Sequence, residues 1–183
     1  MENQLQDITL WESFKNGDRE AFKQLFRQYY PSLFLYGCKI TPDKELLEDC
    51  IQDLFTELWL SPSKTPVQSV KAYLFKSLQY KLLKGIQKRS KLLLSSENRE
   101  LPGFQVSHDN LIILREDQKE NGEKVKTAIG QLSRRQQEIV YLRFFQNLGY
   151  EEIASVMDIN YQVARNLLYQ AIKALRKNLG LSV

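Results

Sequence analysis

The last predicted helix carries the side chains with the clearest chemistry. Four small or apolar residues recur on one side of it and predict a buried stripe: Ala164, Leu168, Ala171 and Leu175. The other side then carries the polar and aromatic residues Tyr161, Gln162, Arg165, Asn166, Tyr169 and Lys173. Arginine, asparagine and glutamine can each make two hydrogen bonds to one base edge in the DNA major groove. No acid follows Asp158, so this face is predicted to bind duplex DNA.

A short helix and a tight turn must position that face. Ala154 is small enough to let two helices meet closely, as in a helix-turn-helix. Asp158 tolerates positive φ, Ile159 can plug the turn into the core, and Asn160 is a good N-cap for the second helix. The preceding helix supplies apolar support beneath the pair through Ile139, Val140, Leu142 and Phe145. We expect three cations to contact the DNA backbone: Arg143, Arg176 and Lys177. An ordinary helical hairpin with a solvated basic face remains the alternative.

A second basic helix is predicted over about Val70–Lys88. Its apolar stripe has a four-residue repeat: Leu74, Leu78, Leu82 and Ile86. Lysines and tyrosines share the opposite face: Tyr73, Lys76, Tyr80, Lys84 and Lys88. Lysines can follow phosphates while rings stack on unpaired bases, so this face favours single-stranded nucleic acid. The alternative is a solvated lysine face with partly buried tyrosines.

The helix predicted over about Lys44–Trp59 has the opposite charge. Six acids and one lysine lie between Asp43 and Glu57, whereas eight basic residues and no acid lie between Lys64 and Lys91. Such segregation indicates separate binding faces for separate partners. The acidic face is either solvated or a docking site for a basic protein; its polar residues are Glu48, Asp49, Gln52, Asp53 and Glu57. With no second carboxylate cluster and no phosphate-binding glycine loop, we expect neither catalysis nor a cofactor.

Helical periodicity dominates the 183 residues, which carry a net charge of +4. We predict an all-α fold of two small domains, 5–92 and 112–183, with a flexible linker over 93–111 rich in Ser, Asn, Pro and Gly. The second domain contains the helix-turn-helix. Further helices are predicted over about Ile8–Asn16, Arg19–Tyr29, from Pro31 onwards, Leu111–Gly130 and Ser133–Gln146.

The chain is expected to be cytoplasmic. It shows no signal peptide, and no apolar run approaches the ~18 residues that span a bilayer. Cys38 and Cys50 are expected to be buried thiols, and His108 is the only histidine, so a Cys/His zinc site is not expected.

The order of these features resembles bacterial extracytoplasmic-function sigma factors, the two-domain promoter-recognition subunits of RNA polymerase. "GDREAFKQLFRQYYPSLFLYG" is similar to the family's opening helices, and "LLEDCIQDLFTELW" to its polymerase-docking helix. "VKAYLFKSLQYKLLKGIQKR" is similar to the helix that recognises and opens the minus-ten element. The segment from Ile129 to Lys177 is the most specific match, to the domain that binds the minus-thirty-five element.

The resemblance implies a partner for each face. Asp49, Gln52 and Asp53 match the positions that bind the clamp helices of the largest polymerase subunit. The basic helix would hold the melted non-template strand, the last helix would enter the major groove, and the linker would occupy the RNA exit region. An anti-sigma factor is also implied. The chain differs from the usual pattern at Asp158, Val163-Ala164 and Tyr80, positions that bear on base choice and strand opening.

Two other functions are compatible with parts of the sequence. An autonomous helix-turn-helix transcriptional regulator would bind duplex DNA without polymerase, commonly as a dimer on paired half-sites. Such a regulator holds no unpaired strand, so the lysine and tyrosine helix disfavours it. A helical protein-interaction module would leave the acid-free outer face of the last helix unexplained. An enzyme has the least support.

Overall fold

The computed structural model describes residues 2–61, 67–92, 104–105 and 119–181. Every regular element in these ranges is helical, which confirms the all-α prediction. The elements are α1 (Glu2–Lys15), α2 (Arg19–Gly37), α3 (Lys44–Leu60), α4 (Val70–Leu92), α5 (Lys119–Gly130), α6 (Arg134–Val140) continued by a π turn (Tyr141–Phe145), α7 (Tyr150–Val156) and α8 (Tyr161–Asn178). The chain forms two compact units, Met1–Pro102 and Gly103–Val183.

Two predictions fall partly outside the described residues. They are the linker over 93–111 and the helix predicted from Leu111. His108 also lies outside them. The described part of the helix predicted over Leu111–Gly130 begins at Lys119, and it ends at Gly130 as predicted.

The first unit packs four helices around one core. Leu33, Leu47, Ile51 and Leu74 are completely buried and come from three of these helices. The predicted α4 stripe is buried as well: Leu74, Leu78, Leu82 and Ile86. Because α3 and α4 both turn an apolar face to this core, their charged faces point outwards side by side.

Pro31 does not begin a new helix, as the sequence predicted; it lies inside α2. Proline within a helix removes one backbone hydrogen bond and costs about 3 kcal/mol. The tertiary fold offsets that cost because Leu25, Tyr29, Leu33 and Tyr36 continue one buried stripe across the proline.

The first helix begins earlier than the predicted start at Ile8. Contacts with α2 stabilise its first turns, since the Asp7 carboxylate accepts hydrogen bonds from Gln28 Nε2 at 2.6 Å and from the Tyr29 hydroxyl at 2.5 Å. The helix ends at Lys15, close to the predicted end at Asn16, and Gly17 follows with φ of +92°. Asp18 caps α2 by accepting from the backbone N–H of Glu20 and Ala21.

The second unit packs α6 and α7 against α8. Ser133 and Gln136 form a capping box at the start of α6, and Gln137 Nε2 donates to the Leu132 carbonyl at 2.9 Å. Phe104, from the predicted linker, is buried in this unit, with its ring centroid 5.6 Å from that of Tyr141. Part of the predicted linker therefore belongs to the core of the second unit.

Gly37, the last residue of α2, lies where two helices approach closely. A Cβ built on it would sit 2.1 Å from Leu47 Cδ1, far inside van der Waals contact. Leu47 is completely buried in α3 and has little room to move. Glycine is required here by the packing of α2 on α3, which places the acidic helix in the domain.

We predict that Gly37→Ala lowers the free energy of unfolding of the first unit by about 1–3 kcal/mol, because the added methyl group overpacks the Leu47 site. Urea unfolding followed by circular dichroism measures it. Gly122→Ala is the matched control: this glycine also lies in a helix, with nothing within 4 Å of the added Cβ. That change should be neutral or stabilise by about 1 kcal/mol. Equal stability of Gly37→Ala and the wild type would contradict the packing assignment.

Candidate nucleic-acid and protein interfaces

The turn between α7 and α8 has the predicted geometry. Asp158 adopts φ of +52°, in the left-handed region. The next backbone N–H, of Ile159, donates to the Ala154 carbonyl at 3.0 Å and closes the end of α7. Asn160 caps α8, its Oδ1 accepting from the Val163 N–H at 2.8 Å. Ala154 is buried at the helix contact, whereas Ile159 is only half-buried.

The outer face of α8 emerges as the sequence predicts. All six predicted residues are exposed, namely Tyr161, Gln162, Arg165, Asn166, Tyr169 and Lys173. On the inner side Ala164, Leu168 and Ala171 are buried, and Leu175 is half-buried. Gln162 Nε2 donates to Asn166 Oδ1 at 3.2 Å, so the two amides lie one helical turn apart on the same strip. We call these six outward residues the recognition face.

The three predicted backbone-contacting cations differ in how they are held. Arg176 and Lys177 are exposed in the last turn of α8. Arg143 is half-buried: its Nη1 donates to the Leu148 carbonyl at 2.9 Å and its guanidinium lies 5.5 Å from the Tyr150 ring centroid. Arginine has five N–H donors, so these contacts fix Arg143 in place and leave donors for a phosphate.

The apolar support beneath the helix pair is mostly as predicted. Ile139, Val140 and Leu142 are buried, and Phe145 is half-buried with its ring 5.5 Å from that of Tyr141. The sequence did not indicate that this helix finishes in a π turn, or that Tyr150 contacts Arg143. The only feature of the sequence that could have pointed to this contact is the aromatic residue Tyr150 at the first position of α7.

The outer face of α4 carries the predicted mixture of lysines and tyrosines. Lys76, Tyr80, Lys84 and Lys88 are exposed, with 67% of the Tyr80 surface accessible. Tyr73 is half-buried, because its ring packs edge-on against Trp11 with centroids 5.4 Å apart. The α4 face therefore offers one protruding ring among lysines and one ring anchored in the domain.

A cleft of about 650 Å³ lies between this face and the end of α3. Leu54 and Leu58 contribute apolar wall, Tyr73 and Tyr80 contribute rings, and lysines stand at the border. Its full lining is Leu54, Glu57, Leu58, Ser61, Tyr73, Lys76, Ser77, Tyr80, Lys81 and Lys84. Apolar and aromatic walls beside ammonium groups suit an unstacked base whose phosphate stays at the rim.

The acidic face of α3 lies on the neighbouring helix. Asp49, Gln52 and Asp53 are exposed, as is Glu48. The carboxylates among them point away from the core and would repel phosphate. This side of the first unit is therefore suited to a basic protein surface and not to DNA.

Two ion pairs join the acidic and basic helices. Lys81 Nζ lies 2.6 Å from Glu57 Oε1, and Arg89 pairs with Asp43. Asp43 also caps α3, accepting from the Leu46 N–H at 3.0 Å. That hydrogen bond, followed by the Arg89 contact, lowers the pKa of the Asp43 carboxyl. Asp43 thus stays ionised and links the start of α3 to the end of α4.

Among the described residues, the two cysteines and the clustered acids are the remaining side chains that could hold a metal ion or react. Burial raises the pKa of both the Cys38 and Cys50 thiols, which are free. Across the described ranges, no group of three or more His, Cys, Asp and Glu side chains is placed to hold a metal ion. Within the same ranges, no helix is both long and apolar enough to cross a membrane.

Comparison with known families adds the deciding observation. Residues 25–92 match the model of sigma-70 region 2, and residues 122–175 match that of sigma-70 region 4. The two matches follow each other in the family's order and together span most of the chain. The chain therefore belongs to the sigma-70 family.

Relatives and solved structures agree with this membership. The RNA polymerase sigma factor YlaC of Bacillus subtilis (strain 168) is 24% identical over 164 residues, covering 88% of this chain and 93% of YlaC. The ECF RNA polymerase sigma factor SigM of the same organism is 22% identical over 153 residues, covering 84% of this chain and 91% of SigM.

Two solved structures share the fold. The sigma factor RpoE of Bartonella quintana, solved with the anti-sigma factor NepR, superposes with a TM-score of 0.62 at 20% identity, covering 88% of this chain and 98% of RpoE. CnrH, solved with the cytosolic domain of CnrY, gives 0.59 at 18% identity, covering 95% of this chain and 97% of CnrH. Membership in this family favours a sigma factor over the autonomous regulator considered from the sequence.

Proposed function

We propose that this sigma factor divides its work among three surfaces of the described fold. The α3 acidic face docks on core RNA polymerase, the α4 face holds the melted minus-ten strand, and the recognition face of α8 reads the minus-thirty-five element. The observation that carries this assignment is the separation of charge between α3 and α4. One helix exposes Asp49, Gln52 and Asp53, and the next exposes lysines.

The polymerase contact is assigned to α3 because its exposed face is suited only to a basic partner. In the family this helix binds the clamp helices of the largest polymerase subunit. Asp49, Gln52 and Asp53 are all solvent-exposed in the free protein, so docking needs no rearrangement of the helix. Glu57 is tied to Lys81 and is better placed to hold α4 than to bind the polymerase.

The minus-ten contact is assigned to the α4 face and its adjoining cleft. Lys76, Lys84 and Lys88 can follow the phosphates of one strand, and Tyr80 is free to stack on a base. The cleft beside Tyr73 and Tyr80 has the apolar wall that a displaced base requires. Tyr73 itself is anchored on Trp11, so it would serve as a fixed wall of this site.

The upstream contact is assigned to α8, whose residues Gln162, Arg165 and Asn166 face outwards along one strip. These side chains can make paired hydrogen bonds to base edges. Arg143, Arg176 and Lys177 would contact phosphates on either side. Such phosphate contacts should make DNA binding strongly dependent on salt.

The remaining features follow from the same scheme. Two modest DNA-reading units, Met1–Pro102 and Gly103–Val183, gain effective concentration because one chain places both on the same promoter. The linker would occupy the RNA exit region of the polymerase. The protein would act in the cytoplasm as a non-enzymatic specificity subunit without a cofactor, restrained by an anti-sigma factor.

We predict that Asp53→Arg abolishes co-purification with core RNA polymerase, because it reverses charge at the centre of the docking face. The outcome is measured by affinity capture of core polymerase on the immobilised protein. Glu12→Arg, which makes the same charge change at an exposed position of α1, should bind as the wild type does. Undiminished capture by Asp53→Arg would remove α3 from the proposed interface.

We predict that Arg165→Ala combined with Asn166→Ala abolishes protection of the upstream element and leaves polymerase binding intact. Footprinting of promoter DNA with the reconstituted holoenzyme measures the first effect, and affinity capture measures the second. Lys124→Ala is the control, since it also removes one cation from an exposed position of the second unit. A clear upstream footprint from the double variant would refute the assignment to α8.

A further inference from the structure

A continuous row of four side chains, two arginines and two tyrosines, crosses the helix-turn-helix. The Arg143 guanidinium lies 5.5 Å from the Tyr150 ring centroid, and the Tyr150 and Tyr161 rings meet edge-to-face at 5.8 Å and 67°. The Arg165 guanidinium then lies 5.9 Å from the Tyr161 ring centroid. Both cation contacts fall within the ~6 Å at which a ring attracts a cation.

The fold fixes most of this row of side chains before any DNA is present. Arg143 is held by its hydrogen bond to the Leu148 carbonyl. Tyr150 and Tyr161 are the first residues of α7 and α8, so the tight turn at Asp158 brings their rings together. Arg165 follows Tyr161 by one helical turn and therefore stands on the same face.

Tyr161 accordingly has a different environment from the other ring of the recognition face. Its accessible surface is 46%, against 69% for Tyr169, because Tyr150 and Arg165 cover parts of it. The Tyr161 ring therefore packs against side chains of its own domain, those of Tyr150 and Arg165. This ring can therefore influence the direction in which the Arg165 side chain leaves the helix.

Resting on the proposed function of α8, we propose that Tyr161 and Tyr150 are positioning residues that set base preference through Arg165. Tyr161 is the platform on which the guanidinium stacks, and Tyr150 braces that platform against the fixed Arg143. A free arginine side chain samples many rotamers, and holding it near one of them raises the fraction ready to pair with a base edge. Stacking at an exposed site should raise that fraction about two- to five-fold.

The test compares base preferences of the full chain bound to core RNA polymerase. Duplexes randomised across the upstream contact region are selected by the wild-type holoenzyme, and the selected pool is then offered to each variant and sequenced. Arg165→Ala marks the base position that this arginine reads. Tyr161→Leu and Tyr150→Leu should weaken preference at that same position by about two- to five-fold, whereas Tyr161→Phe, which keeps the ring, should retain it.

A double-mutant comparison separates positioning from general loss of structure. In the Arg165→Ala background, Tyr161→Leu should cause no further loss, because its effect passes through the arginine. Tyr169→Leu is the matched control: it also removes an exposed ring from α8, and its effect should add to that of Arg165→Ala. Thermal unfolding of each variant shows whether the second unit remains folded.

Several outcomes would overturn the proposal. Additive effects of Tyr161→Leu and Arg165→Ala, equal losses in Tyr161→Phe and Tyr161→Leu, or a change of preference at another position would each show that Tyr161 contacts DNA directly. If Arg165→Ala alters no base preference, the assignment of α8 itself fails and this proposal fails with it. If Arg165→Ala alters one position and the two leucine variants do not, only the positioning role is refuted.

Discussion

The first unit carries opposite charges on two helices that share one apolar core. α3 and α4 both bury apolar faces, with Leu47 and Ile51 on one helix and Leu74 and Leu78 on the other. Their outer faces are then necessarily neighbours, one acidic and one basic. Charges are paired across the seam at Glu57–Lys81 and Asp43–Arg89, which leaves Asp49 and Asp53 on one side and the exposed lysines on the other. Adjacent faces of one small domain are therefore suited to partners of opposite charge.

The second unit holds the exposed helix α8 in place with few residues. The Asp158 turn and the Asn160 cap set where α8 begins, and three small or apolar residues seat it on the helices beneath. Side chains on its outer face are already partly organised, since Gln162 donates a hydrogen bond to Asn166 and the Arg165 guanidinium lies 5.9 Å from the Tyr161 ring centroid. Preorganised side chains lose less conformational entropy on binding, so the contacts proposed for α8 would cost less ordering than contacts from free side chains.

Much of this arrangement could be predicted from the sequence because it depends on local periodicity and local turn chemistry. The α4 stripe and the exposure of the recognition face follow from spacing alone, and the positive φ of Asp158 is one that an aspartate in a tight turn tolerates. The predicted start of a new helix at Pro31 was wrong, because tertiary burial of Leu33 and Tyr36 overrides the local preference of proline for a helix start. The contacts of Tyr73 with Trp11 and of Arg143 with Tyr150 join separate helices, and one sequence without a fold gives no means of pairing them.

The roles proposed for α3, α4 and α8 all require that the protein acts on promoters through the polymerase. The most direct measurement is run-off transcription by core RNA polymerase on DNA fragments from the region upstream of the protein's own gene, with and without the purified chain. We expect a discrete transcript that appears only when the chain and the core enzyme are both present. If the chain alone binds these duplexes tightly, and its addition to the core enzyme yields no new transcript, the division of labour among α3, α4 and α8 is contradicted.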